Sequence, residues 1–203
     1  MRQLLRQVPM VRQFRQKMVA TAPSKHIVIG AGATQEPGWI PTQIEFLNLL
    51  EPADWARFFL ADTLDAMLAE HVWEHLTPEE GLAAARTCYG YLKPGGYLRV
   101  AVPDGFHPSP TYIDWVKVGG ASPMQIGNDH KVLYTYPVLR DLFERAGFRV
   151  VLHEYFAEQG RFHYHEWHPG EGRIQRSKRF DRRNRGGELA FTSIILDAVK
   201  PHM

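Results

Sequence analysis

Cysteine is almost missing from this chain. Its 203 residues hold one, Cys88, so no internal disulfide can form, and a reducing, cytoplasmic setting is expected. Cys88 falls at a plausible buried helix position, which makes it a packing residue rather than a reactive thiol. Long apolar runs are also missing, and no window approaches the ~20 residues of a membrane span. A secretory signal is not expected, because arginine recurs where its apolar core would have to lie. Acid is absent from residues 1–25, which carry Arg2, Arg6, Arg12, Arg15, Lys17 and Lys25. It is nearly absent from 173–185, where Asp181 alone faces Arg173, Arg176, Lys178, Arg179, Arg182, Arg183 and Arg185. The net charge is only +2, so the remainder is acidic. Basic segments on an acidic body read either as a site for an anionic partner or substrate, or as solvated surface.

The chain is long enough for one domain with a good core. Its most structured stretch is Leu64 to Asp104. Leu64 to Ala69 is an apolar run of strand length. Thr77-Pro78-Glu79-Glu80 supplies a capping hydroxyl, a proline at the first helical position and acids in the first turn. Leu82, Ala85, Tyr89 and Leu92 recur at helical spacing. Lys93 is expected to close the helix, Pro94-Gly95-Gly96 to turn the chain, and Tyr97 to Val102 to form the next strand. Strand, crossover helix and strand make one right-handed parallel unit of an open α/β sheet.

Upstream, residues 1–24 form an appended basic arm with Leu4, Val8, Val11, Phe14 and Met18 at helical spacing, broken by Pro9. It reads either as a helix covering one sheet edge or as an amphipathic arm making peripheral contact with an anionic membrane. His26 to Ile29 is a strand that ends in Gly30-Ala31-Gly32, where backbone amides can approach a ligand closely. The third glycine and following helix of a dinucleotide fold are missing, which disfavours an NAD-dependent oxidoreductase. In an open α/β sheet ligands sit beyond the carboxyl ends of the strands, so Gly30, Gln43, Asn48, Glu70 and Asp104 should line one crevice. Glu74 and His75 follow on a turn, either in the site or as a local hydrogen-bonded pair.

The pieces AEHVWEHL, LKPGGYLRVAVPD and LRDLFERAGF resemble the second half of a class I S-adenosylmethionine-dependent methyltransferase, of the type 11-like group. The resemblance covers about residues 25–156 and the strand near 189–200. It implies a Rossmann-like α/β fold: a mainly parallel seven-stranded sheet with an antiparallel last strand and helices on both faces. Phe148–Phe156 and Leu189–Val199 would then pair antiparallel. The resemblance implies S-adenosyl-L-methionine as cofactor, held by Gly30, Ala31, Gly32, Gln43, Asn48, Leu49, Glu70 and His71. Gln43 stands where the family places an acid on the ribose, with Glu45 two residues on. Asn48 either reaches the adenine or caps a turn. Asp104, His107 and His130 are the candidate bases at the acceptor side.

Residues 25–203 then form the methyltransferase-like domain, with an insertion at about 157–188 acting as a lid or substrate wall. Within it, His163, His165, His168 and Glu166 could in principle bind zinc, but His168 is badly placed on a strand and no cysteine helps, so no metal is expected. The expected activity is methyl transfer to a small molecule, saccharide-like or anionic. The alternative is a non-catalytic cofactor-binding or interaction protein on the same fold. A nucleic-acid partner is not expected, since no RNA-binding motif accompanies the basic run.

Overall fold

The computed structural model describes residues 25–32, 34, 36–120 and 127–202. The basic arm over 1–24, with its edge-helix and membrane readings, lies outside the described residues. Seven strands form one sheet: β1 His26–Ile29, β2 Ile40–Pro41, β3 Leu64–Glu70, β4 Leu92–Pro103, β5 Arg149–Phe156, β6 Phe162–Tyr164 and β7 Ser193–Val199. Their order is β2-β1-β3-β4-β7-β5-β6. β2, β1, β3 and β4 are parallel, while β7 runs antiparallel to both β4 and β5, as the last strand was expected to do. β6 adds an antiparallel edge on β5. Residues 44–50 form turns and irregular chain, and Phe46, Leu47 and Leu49 drop into the core.

The helices are α1 Pro52–Phe58, α2 Pro78–Tyr91, α3 Pro110–Val116 and α4 Tyr136–Arg145. α2 starts where its sequence dictates. Thr77 Oγ1 accepts from Glu80 N while Glu80 Oε2 accepts from Thr77 N, a reciprocal cap with Pro78 at the first helical position. It ends at Tyr91, two residues before Lys93, and β4 begins at Leu92. Pro94-Gly95-Gly96 is a slip in register between Leu64 and Ala66 of β3 rather than a separate turn. No helix among the described residues is long and apolar enough to cross a membrane. Cys88 is fully buried in α2, and burial pushes its thiol far up, so it packs and does not react.

Trp55 of α1, Ala84, Ala85 and Cys88 of α2, and Leu139, Leu142 and Phe143 of α4 pack on one sheet face against Ile27, Ile29, Met67, Leu98, Val100 and Leu196. The opposite face is covered differently. Its cluster joins Val28, Ala66, Leu68, Ala101 and Ile195 of the strands to Trp39, Trp167, Ile174 and Phe180, and none of these belongs to a helix. The short crossover between β1 and β2 supplies no helix, so Trp39 and the irregular chain from 165 to 180 cover what a helix would.

Charged groups on successive strands hold that cover down. Arg99 of β4 is 1% exposed and makes a two-pronged pair with Asp197 of β7, Nε to Oδ1 and Nη2 to Oδ2 each at 2.8 Å. Its Nη1 donates to the carbonyls of His168 and Gly172, and its plane lies over Trp167. Glu154 of β5 accepts from Trp167 Nε1 and Lys178 N, and Glu70 of β3 accepts from Gln175 N and Arg176 N. The segment is therefore fastened to the sheet through its own backbone.

Replacing Arg99 with Met strands Asp197 with His153 as its only other partner, at 2.9 Å, and frees two carbonyls. Breaking a buried pair from one side costs about 3–5 kcal/mol. Urea denaturation of R99M should show a loss of that size, and limited trypsin digestion should newly cut at Arg173 to Arg179.

Candidate functional site

The polypeptide turns out of β1 through Gly30 and Gly32, both left-handed with φ of 58° and 54°. A Cβ on Gly30 would meet Val72 Cγ2 at 3.1 Å, while one on Gly32 would meet nothing within 4 Å and would project into open space. Ala31 N donates to Thr42 O, and Thr42 N donates to Val28 O, so the loop is stitched to the chain leaving β2. Gln43 adds a second stitch: its Nε2 donates to Gly32 O at 2.9 Å, and its Oε1 accepts from Gly32 N at 3.3 Å.

β3 ends in Glu70 and His71. Glu70 is 8% exposed and its carboxylate is engaged with the backbone of Gln175 and Arg176. His71 takes a left-handed backbone, φ 56°, which costs energy in a residue with a Cβ and is found where a site imposes it. That backbone turns the ring inward. Nε2 lies 3.0 Å from Ser193 Oγ, Nδ1 lies 3.1 Å from Glu74 Oε1, and the ring stacks near Phe191. Burial holds the imidazole well below its ordinary pKa, helped by the Arg176 charge, so it is neutral at pH 7.

Two clefts meet at this histidine. The first, about 430 Å³, is lined by Gly30, Ala31, Gly32, Thr34, Glu70, His71, Gln175 and Arg176. The second, about 350 Å³, has His71, Glu74, His75, His130, Arg176, Arg183 and Phe191. Both volumes are in the range of small-molecule sites. His71 and Arg176 line both and form the partition between them.

Glu74 is fully buried in the turn after β3, and neither of its oxygens has an aligned hydrogen-bond partner among the described residues. The 3.1 Å approach to His71 is close but misdirected. Burial raises the Glu74 carboxyl to about 7. The expected pairing of Glu74 with His75 is not made, for His75 Nδ1 turns towards Asp129 Oδ2 at 3.2 Å. The Glu74 carbonyl accepts from Lys131 N and Val132 N, which draws His130 into the second cleft. His130 Nδ1 sits 2.8 Å from Val116 O and donates to it, since a carbonyl only accepts.

The structure thus brings Gly30, Ala31, Gly32, Glu70 and His71 together, with His130 in the adjoining cleft. Other expected residues are occupied elsewhere. Asn48 Oδ1 accepts from Leu50 N in a local turn, which is its capping reading, and Leu49 is buried in the helix-side core. Asp104 is fully buried, accepting from Phe106 N and Phe156 N, and so braces the end of β4. His107 stacks on Tyr112 at 3.9 Å, with Nε2 facing Leu189 O and Nδ1 accepting from Ser109 N. It borders a separate hollow beside Trp115 and Glu188, away from His71. Sequence reading missed Thr34, Gln175, Arg176, Arg183 and Phe191 as lining residues. The basic run was the available signal for the arginines, but nothing in it told which of the cations face inward.

Burial lifts the Asp104 carboxyl from its ordinary 3.8 to about 6, against the pull of the two amides. Between those values the native state keeps a proton that the unfolded chain has released, so this group stabilises below pH 4 and the benefit fades as pH rises through 6. At ~1.36 kcal/mol per unit, that is about 3 kcal/mol. The stability difference between wild type and Asp104→Asn, from urea melts at pH 3.5 and pH 7, should shift by up to this amount, in favour of wild type at the acid end.

No family model matches the chain, and no curated protein matches it in sequence. Solved structures do. A SAM-dependent methyltransferase from Archaeoglobus fulgidus aligns at 16% identity over 93% of this chain and 92% of its own, with a TM-score of 0.50. The putative methyltransferase solved in complex with the Haloferax volcanii Trm112 methyltransferase activator aligns at 11% identity over 96% and 93%, also at 0.50. The SAM-dependent methyltransferase SibL, in its apo form, aligns at 13% over 98% of this chain but 58% of its own length, at 0.51. At such identities the likeness is one of architecture, and the chain has the Rossmann-like fold of the class I SAM-dependent methyltransferases.

Proposed function

We propose that the protein is a methyltransferase that binds S-adenosyl-L-methionine in the cleft beyond β1 and β3 and passes its methyl group to a small acceptor in the cleft beside it. The observation that carries this reading is the partition: two cavities of ligand size share His71 and Arg176 at the strand tips, where this fold class presents its ligands. A donor on the Gly30–Gly32 side and an acceptor on the Glu74–His130 side would both lie against His71 and Arg176, and methyl group and nucleophile would meet where the clefts join.

The sulfonium supplies the reactivity when bound. This chain's residues supply position and dryness. Gly30 and Gly32 let backbone approach the donor without side chains in the way. Neutral His71 adds no charge that would repel a sulfonium. Arg176 and Arg183 face the second cleft and favour an acceptor that carries negative charge; Arg176 is tethered to Glu70 and Arg183 to Asp181. Of the three residues offered as bases, His130 lines this cleft, whereas the side chains of Asp104 and His107 are committed to backbone partners.

One observation favours the second reading, a binding protein without catalysis. Gln43 spends its amide on Gly32 N and O, so the residue at the ribose position holds its own loop. Rearrangement of that clasp would have to accompany cofactor binding.

Calorimetry separates the readings. S-adenosylhomocysteine should bind one-to-one with micromolar affinity, and S-adenosylmethionine comparably. Gly32→Ala has room for its methyl group and costs about 1–2 kcal/mol of backbone strain, yet should weaken binding about tenfold by filling the donor cleft. Absence of heat with either ligand at high micromolar protein would overturn the methyltransferase reading.

A further inference from the structure

Among the described residues, one group brings metal-ligating atoms together, and it is not the histidine-rich segment at 163–168. The ligand atoms of Glu74, His75 and His130 all lie within 4.8 Å of one another. The donors come from two places in the chain, the turn after β3 and the loop before α4, locked to each other by the hydrogen bonds of Lys131 N and Val132 N to the Glu74 carbonyl. A second ion pair, Lys131 Nζ to Glu80 Oε2 at 2.9 Å, reinforces the junction.

A fully buried carboxylate with both oxygens unpartnered is expensive to maintain, and the neighbouring imidazoles are not aligned to satisfy it. His75 Nδ1 is buried, with Asp129 Oδ2 3.2 Å away but out of line for a hydrogen bond. His130 Nδ1 donates to the Val116 carbonyl, a backbone contact of the kind that orients metal-bound histidines. His71, Arg176, Arg183 and Phe191 complete the lining of the cleft around the group. Arg176 and Arg183 line the same cleft, and their pairs with Glu70 and Asp181 lessen, without cancelling, the repulsion that a cation would meet there.

We propose that Glu74, His75 and His130 hold a divalent first-row ion of zinc type at the floor of the second cleft, with coordination positions left open towards His71. Two imidazoles and one carboxylate suit borderline ions better than magnesium or calcium, and three protein ligands leave room for an exogenous oxygen. Binding of the ion rests on this geometry alone. Its use rests on the methyltransferase reading: an acceptor hydroxyl bound to the ion loses its proton to solvent more readily. The resulting oxygen then forms its bond to the methyl carbon as the carbon–sulfur bond breaks and the sulfonium leaves as a neutral thioether.

The test uses the full chain, stripped with a chelator and titrated with Zn²⁺ by calorimetry and with Co²⁺ by visible absorption. One ion per chain should bind, with cobalt bands that report nitrogen and oxygen ligands, and the melting temperature should rise with added Zn²⁺. His130→Ala and His75→Ala should each weaken Zn²⁺ by at least about a hundredfold, since even outer partners of a metal ligand contribute 10–100-fold. His163→Ala together with His165→Ala should leave affinity unchanged. Two substituted histidines are named because Glu74→Gln alters a buried core group and could unfold the chain. No stoichiometric uptake, or equal loss in the strand-histidine variant, would overturn the site. Metal uptake without S-adenosylhomocysteine binding would keep the site and remove the methyltransferase reading, and the converse would do the reverse.

Discussion

The guanidinium of Arg99 is the fixed point of this molecule. It sits inside the sheet, doubly bound to Asp197, and reaches through to the carbonyls of His168 and Gly172. Burying an ion is costly, and the cost is offset here because nearly every donor finds an oxygen in good geometry. Desolvation works against the pair, yet the Arg99 hydrogen bonds and those of His153 still hold the Asp197 carboxyl below its ordinary range. A helix on this face would satisfy its own backbone. An irregular segment cannot, and the strands therefore supply charged side chains to do so: Arg99 for carbonyls, Glu70 and Glu154 for amides.

The same clamp builds the site. Glu70 binds the amides of Gln175 and Arg176, and this brings Arg176 to the partition between the clefts. The cover that replaces a missing helix thus becomes the wall of the pocket. Costly local features gather on the other side of that wall. His71 is held left-handed, the Glu74 carboxyl is buried with no aligned partner among the described residues, and both lie within a turn of each other at the end of β3. Such features cost stability and persist only where surrounding packing determines them. Trp73, fully buried against Phe143 between them, provides that packing.

Much of the framework was legible. Thr77-Pro78-Glu79-Glu80 specified the start of α2, and the apolar runs at 64–69 and 97–102 specified paired parallel strands, because caps and continuous buried strands are local or short-period signals. Strand-end reasoning also brought Gly30 and Glu70 to one crevice, and the family resemblance added His71. It was less informative for Gln43, Asn48 and Asp104, whose polar atoms turn back to nearby backbone. Position along a strand says which end of the sheet a residue occupies. It does not say whether a short polar side chain will meet ligand or its own loop, because the competing partner lies only a few residues or one strand away.

By itself, the sequence determined the alternation of strands and helices and the glycine turn after β1, since each follows from neighbouring residues and their periodicity. Only tertiary structure decided that the basic stretch at 173–185 faces inward at Arg176 and Arg183, that the chain from 165 to 180 takes a helix's place, and that Glu74, His75 and His130 converge. Those outcomes depend on partners about 55 to 105 residues apart in the chain, such as Glu74 with Lys131 and Glu70 with Gln175, whose meeting is fixed by strand order and by the need to pair every buried polar group.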